Sequence, residues 1–314
     1  MKIRARLLAL MVLVLVALSL VIPGCGWGQD GEGGVQEELP PAPEAGSAPG
    51  EPSLGEGELS AHFIDVGQGD SILLRLPNGE SVLIDAGDNG ASSTVIAYLK
   101  VQGIAHIHHL IATHPHADHI GGMAAVIREF SVGEVYMPRT SHTTITYERL
   151  LLAIQEKGLR ITEARAGVTM LDEPGLRASF LAPFPREGLS LNDSSAVLKV
   201  EYGSVSLLFT GDAEAESEGH MLLSSSMSPR ADILKAGHHG SQSSSSEVFL
   251  EAVSPSIAII SAGEGNSYGH PHQEVLERLQ GMEVEILRTD LHGTIVITTG
   301  GESFSVKTER ESPG

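Results

Sequence analysis

Cysteine and basic residues are scarce in this sequence. Cys25 is the only cysteine in 314 residues, which excludes an intramolecular disulfide. Stability must therefore come from core burial or from bound metal. There are 20 Lys and Arg against 40 Asp and Glu, giving a formal net charge of −20. This balance argues against broad electrostatic binding of nucleic acid, although metal ions can create a local positive site.

Long apolar runs are also missing, with one exception near the N-terminus. Residues 7–22 are apolar and follow a basic start. The run is short for a membrane span but typical of a secretory signal. It ends Val21-Ile22-Pro23-Gly24-Cys25, which resembles the lipobox of bacterial lipoproteins. We expect residues 1–24 to be a signal peptide and Cys25 to be lipidated. The alternative is a signal anchor with an incidental cysteine, and both interpretations export the rest of the chain.

The next segment has the composition of a tether. Residues 26–57 are rich in Gly, Pro, Glu and Ala and contain no Lys or Arg. Such a segment cannot bury enough apolar surface to offset the entropy lost on ordering. We therefore expect residues 25–57 to form a disordered acidic linker. The remaining residues, 58–314, are enough for one domain with a large core.

The most informative motif of this domain is His114-Pro115-His116-Ala117-Asp118-His119. It places three imidazoles and a carboxylate within six residues, and Zn²⁺, Mn²⁺ and Fe²⁺ accept these ligand types. The motif lies between an apolar run, residues 109–113, and a predicted helix, residues 120–130. A loop between a strand and a helix suits chemistry, because the scaffold holds it at an open edge. The alternative is a solvated loop that happens to be rich in histidine.

Three further polar clusters follow apolar runs later in the chain. Asp212 can bridge two metal ions through its two oxygens, or can cap the helix that follows. His238 and His239 are flanked by glycines and can serve a leaving oxygen or a phosphate oxygen, or can be exposed loop residues. His270 lies just before a predicted helix and can complete a second metal site, or can face solvent together with His272.

Short β-patterned runs alternate with helical ones in both halves of the domain. The predicted strands are residues 62–66, 71–76, 81–84, 134–137, 177–181, 196–201, 204–210, 231–235, 256–260, 283–287, 293–298 and 304–307. Helices are predicted at residues 92–102, with Ser92 or Ser93 as the N-cap, at 147–157, after Asp212 and at 273–280. This order predicts an α/β fold with a four-layer αββα arrangement, in which two sheets face each other and helices cover both.

These motifs resemble those of the metallo-β-lactamase superfamily, and within it the hydrolase domain of ComEC-type DNA-uptake proteins. The matching pieces are residues 63–70, 83–87, 113–119, 192–198, 210–212 and 234–241. The resemblance implies a metallo-β-lactamase-like sandwich and two divalent metal ions, Zn or Mn. It implies that one ion is bound by His114 and His116, that the other is bound by Asp118, His119 and His270, and that Asp212 bridges them.

One expected ligand differs from the family pattern. Many superfamily members supply another histidine to the first metal from the region between the histidine motif and the bridging aspartate. This chain carries Asn192 there, and His142 lies earlier in the chain. The resemblance therefore implies a first site with fewer ligands than the second.

The function that these observations favour is an exported, metal-dependent phosphodiesterase or nuclease of the competence type. Its substrate would be a phosphodiester such as DNA, with Asp118 or Asp212 orienting water and His239 or His238 supporting the leaving group. We expect a surface lipoprotein held by its lipid anchor at the outer face of the cytoplasmic membrane. One alternative is a cell-wall phosphorylcholine esterase or a lactone or β-lactam hydrolase on the same scaffold. Another is a non-catalytic metal-binding surface lipoprotein.

Overall fold

A computed structural model describes residues 57–224 and 227–311. The predicted signal peptide, Cys25 and nearly all of the predicted linker lie outside the described residues. The described part contains fifteen strands and eight α-helices. The strands are β1 Leu59–Phe63, β2 Ile72–Arg75, β3 Ser81–Ile84, β4 His106–Ile111, β5 Ser131–Met137, β6 Ile161–Glu163, β7 Thr169–Glu173, β8 Leu176–Ala182, β9 Val197–Tyr202, β10 Val205–Phe209, β11 Ile233–Lys235, β12 Ile257–Ile260, β13 Glu285–Arg288, β14 Ile295–Thr299 and β15 Phe304–Thr308. The helices are α1 Ser92–Val101, α2 Ala117–Ile120, α3 Met123–Glu129, α4 Ile145–Glu156, α5 Ala215–Leu223, α6 Glu247–Val253, α7 Gln273–Gly281 and α8 Thr289–His292.

The strands form two large mixed sheets. One has eight strands in the order β15-β14-β1-β2-β3-β4-β5-β6, and the other has seven in the order β13-β12-β11-β10-β9-β8-β7. In the first sheet β3 to β6 run parallel to one another, and in the second β10 to β13 do. Because parallel strands share a direction, the loops that follow them leave each sheet at one edge.

Successive side chains of a strand point to opposite faces of its sheet and pack into different apolar layers. In β10, Leu207 and Phe209 point into the cluster between the two sheets, where Phe209 lies 6.0 Å from Phe63 between ring centroids. Leu208 points to the opposite face, into the cluster that the seven-stranded sheet shares with α5, α6 and α7. A third cluster joins the eight-stranded sheet to α1, α3 and α4. The predicted αββα arrangement is thus confirmed.

Several local predictions differ from the structure. Strands β6 and β7 were not expected, because each lies at the edge of a sheet and half-exposed edge strands show little apolar alternation. The predicted helix 120–130 begins earlier, at Ala117, and is divided into α2 and α3 at Gly121 and Gly122. A Cβ atom at Gly122 would lie 2.3 Å from the Ala86 carbonyl oxygen, so the helices pack tightly against the loop after β3.

The N-terminus of α1 also differs from the prediction. Its N-cap is Ala91, not Ser92 or Ser93. No side chain caps the helix; the Asp88 carboxylate accepts the Gly90 and Ala91 backbone N–H groups at 2.8 and 2.9 Å and so stabilises the turn that precedes it. No helix among residues 57–224 and 227–311 has the length and apolar character needed to cross a membrane.

Candidate metal centre

The predicted site residues lie shortly after parallel strands, in loops or, for Asp118 and His119, in the short helix α2. The motif from His114 to His119 follows β4, Asp212 follows β10, His238 and His239 follow β11, and His270 follows β12. The first loop comes from the eight-stranded sheet and the other three come from the seven-stranded sheet. The two sheets therefore supply opposite halves of one site.

Asp212 stands between two groups of ligand atoms. His114, His116 and Asp212 form one group, and Asp70, His119, Asp212 and His239 form the other; within each group, ligand atoms lie within 4.8 Å of one another. Oδ2 of Asp212 lies 3.7 Å from His114 Nε2, and Oδ1 lies 3.2 Å from His119 Nε2. Its two oxygens thus face different groups, which is the arrangement of a bridging carboxylate. Asp212 does not serve as the N-cap of α5, which is Glu214.

The first group contains the two leading histidines of the motif. His114 is fully buried and its Nε2 lies 2.9 Å from Nδ1 of the half-buried His116. Burial, together with the neighbouring His119, holds the pKa of His114 well below its usual value, so this ring is neutral. Neutral imidazole is the form that binds a metal ion. The His142 ring lies 6.1 Å from that of His116, measured between centroids, although the sequence places His142 far from the motif.

In the second group His239 lies among His119, Asp212 and the neighbouring Asp118, which is not itself a member of the group. Nε2 of His239 lies 3.3 Å from His119 Nε2, 3.3 Å from Asp118 Oδ2 and 3.6 Å from Asp212 Oδ1. Nδ1 of His239 lies 3.0 Å from the Ser261 carbonyl oxygen, so the ring donates there and Nε2 is left facing the carboxylates. Burial alone would lower the pKa of His239, but Asp212, Asp118 and Asp70 raise it to about 9. The attraction that retains this proton would also act on a metal cation.

A buried carboxylate oxygen without a hydrogen-bond donor indicates that the site can bind a metal ion. Oδ1 of Asp212 is buried and, among the described residues, has no hydrogen-bond donor. Buried oxygens are normally paired, so an unpaired one between two imidazoles is suited to bind a cation. Burial by itself raises the pKa of Asp212, but the neighbouring His119 and His239 imidazoles hold it well below its usual value. The carboxylate is therefore ionised, as a metal ligand must be.

Two further carboxylates support the rings from behind. Asp85 Oδ2 lies 2.7 Å from His119 Nδ1, and Asp70 Oδ1 lies 3.4 Å from His239 Nδ1. These ring nitrogens are on the opposite side of each imidazole from Nε2, which faces Asp212. Because both contacts go to Nδ1, we interpret Asp85 and Asp70 as partners of the ligands, although the Asp70 carboxylate also lies within 4.8 Å of the other ligand atoms of the second group.

Asp85 was not singled out from the sequence as a functional residue. The available signal was that it ends an apolar strand, as Asp212 does, and lies in a segment that resembles the family.

His270 lies outside both groups. Its ring centroid is 5.4 Å from that of His238 and 6.2 Å from that of His239. Its Nδ1 has no hydrogen-bond partner among the described residues. Burial, followed by the neighbouring His238 and His239, lowers the pKa of His270 to about 4. The sequence assigned the last metal ligand to His270 and a non-ligand role to His239; in the structure it is His239, and not His270, that belongs to the second group of potential ligands.

His238 and Glu214 form a pair at the open side of the site. The His238 side chain is 24% exposed, and its Nδ1 lies 2.9 Å from Glu214 Oε1. Its Nε2 lies 3.7 Å from Asp212 Oδ2. Asn192, which stands where the family supplies a histidine, donates to the same Glu214 oxygen at 3.2 Å. Glu214 thus fixes the His238 ring with Nε2 directed towards the metal ligands.

Comparisons with known proteins identify the family of the chain. The chain matches the family described as "Metallo-beta-lactamase superfamily" over residues 64–264. It is 37% identical to ComE operon protein 3 of Bacillus subtilis over 259 residues, which cover 76% of this chain and 33% of the relative. It is 32% identical to competence protein ComA of Neisseria gonorrhoeae over 246 residues, covering 78% and 33%. The chain thus spans about a third of the length of the curated relatives it matches.

Solved structures are similar at low sequence identity. CmlA, a diiron β-hydroxylase from Streptomyces venezuelae, has a TM-score of 0.49 at 15% identity, with 83% of this chain and 55% of that chain covered. Igni18, a metallo hydrolase from Ignicoccus hospitalis, has a TM-score of 0.48 at 14% identity, with 76% and 98% covered. The family match and the two curated relatives show that the chain belongs to the metallo-β-lactamase superfamily of metallo-hydrolases and is related to the ComEC-type competence proteins.

Proposed function

We propose that this protein is an exported, metal-dependent phosphodiesterase, and that it cleaves DNA in the manner of a competence nuclease. The single observation that carries the proposal is the position of Asp212. Its two buried oxygens face two separate histidine groups, as expected for a centre that holds two divalent ions. Such a centre suits phosphodiesters, because it can hold the attacking and leaving oxygens at once.

The residues that would hold the ions divide between the two groups. His114, His116 and Asp212 would hold the first ion, and Asp118, His119, Asp212 and His239 the second. This replaces His270 by His239 in the ligand set, because His239 Nε2 lies within 3.6 Å of Asp118 and Asp212. Zn²⁺ and Mn²⁺ both accept these nitrogen and oxygen donors, and when bound they would supply Lewis-acid activation of the phosphoryl group and of water.

The remaining residues would orient the substrate. His238 presents Nε2 at the open side of the site while Glu214 holds its Nδ1, so we assign to His238 the hydrogen bond to the leaving oxygen. His270 has an unpaired Nδ1 and lies beside both histidines, so we assign to it a contact with a phosphate oxygen. Asp118, 30% exposed and 3.3 Å from His239 Nε2, is the most accessible of the carboxylates around the second group and would orient water.

The choice of DNA as substrate is supported by the relatives, two of which are named as a ComE operon protein and a competence protein. A second candidate is a small or wall-bound phosphodiester, such as a phosphorylcholine ester. The net charge of −20 favours it, because an acidic surface repels long polyanions. Lactones and β-lactams form a third class on the same scaffold.

Export and anchoring are part of the proposal. They are supported by the basic start, the apolar run 7–22 and the lipobox-like residues before Cys25. Lipidation at Cys25 would hold the hydrolase at the outer face of the cytoplasmic membrane. Replacing Cys25 by Ala should release the protein from the membrane fraction or leave its precursor uncleaved.

Purified protein loaded with Mn²⁺ or Zn²⁺ and given a substrate panel tests the function. The panel contains linear and single-stranded DNA, bis(4-nitrophenyl) phosphate, a phosphorylcholine ester, a lactone and a β-lactam. We expect turnover of DNA and of the nitrophenyl diester that chelation abolishes. Turnover of the choline ester alone would favour the second candidate. Bound metal without turnover of any substrate would favour a non-catalytic metal-binding protein.

A further inference from the structure

Lys235 is a fully buried lysine beneath the metal centre. Its side chain is 0% exposed, and its Nζ lies 2.6 Å from Asp70 Oδ2. Nζ also donates to the Gly211 carbonyl oxygen at 3.1 Å. Burying an ammonium group is costly, and replacing a buried ion pair by apolar side chains is often neutral or stabilising. Stability alone therefore does not explain why a lysine occupies this position.

The two contacts of Lys235 lead to opposite halves of the site. Asp70 lies in the loop between β1 and β2 of the eight-stranded sheet, and its backbone N–H donates to the Asp118 carbonyl oxygen at 3.1 Å. Gly211 belongs to the seven-stranded sheet's half of the site and directly precedes Asp212. The Lys235 ammonium group thus contacts both Asp70, whose backbone is hydrogen-bonded to Asp118, and Gly211, which precedes Asp212 in the chain.

Lys235 also determines where the Asp70 carboxylate can lie. One oxygen of Asp70 is engaged by Nζ, and the other faces His239 Nδ1 at 3.4 Å. A carboxylate released from Lys235 could turn towards the neighbouring His119 ring, whose Nδ1 lies 3.8 Å from Oδ2. The ammonium therefore fixes one oxygen of Asp70 and leaves the other facing His239.

We propose that Lys235 is a positioning residue of the metal centre. It sets the spacing between the ligands of the two sheets through Asp70 and Gly211, so that they are arranged before a metal ion binds. This inference rests on the metal centre proposed above but not on the identity of the substrate.

The test is the affinity of the full-length chain for Mn²⁺ or Zn²⁺ alone, measured by competition with a chelator. Lys235→Met keeps the length and apolar stem of the side chain and removes its charge. Because outer partners of metal ligands typically contribute about 10- to 100-fold to metal affinity, we expect a loss of that size.

The matched control is Lys199→Met. Lys199 is also a buried lysine of the seven-stranded sheet, and its Nζ contacts Glu201 Oε1 at 3.0 Å and the Ser228 carbonyl oxygen at 3.2 Å. It touches none of the proposed ligands in these contacts. We expect Lys199→Met to alter thermal stability but not metal affinity.

Two results would overturn the proposal. Unchanged affinity in a folded Lys235→Met would reduce Lys235 to a structural residue. Tighter binding would mean that the lysine acts only by repelling cations. If Lys235→Met does not fold, Lys235→Met combined with Asp70→Asn removes both charges and leaves no buried unpaired ion, and the same loss is expected. Absence of metal binding in the parent protein would instead refute the metal centre itself, and with it this role.

Discussion

Asp85 accepts a hydrogen bond of 2.7 Å from Nδ1 of His119, with both side chains fully buried. Thr113 donates to the two oxygens of the same carboxylate, from its backbone N–H at 2.9 Å and from its hydroxyl at 2.6 Å. The His119 ring is therefore fixed with Nε2 towards Asp212. A carboxylate behind a ligating histidine both orients the ring and raises its basicity.

We predict that Asp85→Asn lowers metal affinity by about 10- to 100-fold although every proposed ligand is retained, because the support of His119 is weakened. Metal dissociation constants of the purified variants measure this. Asp65→Asn is the control, since Asp65 pairs with Arg310 at the surface and contacts none of the proposed ligands. Equal affinities for Asp85→Asn and the parent would refute the supporting role.

Asp212→Ala should be the most damaging change to a single ligand. Asp212 is the one side chain in both groups of potential ligands, so we expect metal content to fall at both sites and turnover to be abolished. Elemental analysis and activity on the same sample test this. Asp232→Asn serves as the control, because Asp232 accepts hydrogen bonds from Ser206 and lies outside both groups. An unchanged metal stoichiometry in Asp212→Ala would rule out bridging.

His239→Ala and His270→Ala should separate ligand from substrate contact. We expect His239→Ala to lose the second metal, because its Nε2 lies among His119, Asp118 and Asp212. We expect His270→Ala to retain both metals and lose rate. Metal analysis of the two variants side by side distinguishes these roles. Loss of metal in His270→Ala with retention in His239→Ala would restore the assignment made from the sequence.

His238→Ala should reduce turnover of DNA while metal content stays constant. Support of a leaving group by a proton donor typically contributes about 10²- to 10⁴-fold, and nitrophenolate leaves without such help. The loss should therefore be much smaller on bis(4-nitrophenyl) phosphate. Glu214→Gln should show a weaker form of the same pattern, and Glu216→Gln, a surface residue paired with Arg186, should not. An equal loss on both substrates would point to phosphate binding instead.

Gly69→Ala should damage the metal centre although Gly69 carries no functional group. A Cβ atom there would lie 2.3 Å from the Asp118 carbonyl oxygen, so the histidine motif would have to shift. Gly79→Ala is the matched control, because Gly79 also has a positive φ, +87° against +139° at Gly69, but its Cβ would meet nothing within 4 Å. We expect both to lose stability and Gly69→Ala alone to lose metal affinity. Equal metal affinities would contradict this.

Much of the fold could be predicted from the sequence, because the strands between two apolar layers carry continuous or alternating apolar residues. Leu207, Leu208 and Phe209 are an example, since each needs a buried surface on its own face of β10. The edge strands β6 and β7 could not be predicted, because half-exposed strands are specified by pairing with a neighbour and not by their own pattern.

The residues of the site were likewise only partly predictable from the sequence. The sequence by itself determined the cluster from His114 to His119, whose ligands are close in space because they are close in the chain, and it indicated Asp212 from the end of an apolar strand. Only the tertiary structure placed His239, and not His270, among the ligand atoms around Asp212, placed Asp85 behind His119, and brought Lys235 to Asp70. The residues of each pair are at least 31 positions apart in the chain, so their distances depend on which strands pair, on how the two sheets stack and on which ring nitrogen each loop turns inward. No local pattern encodes that choice, because it is made by packing between layers.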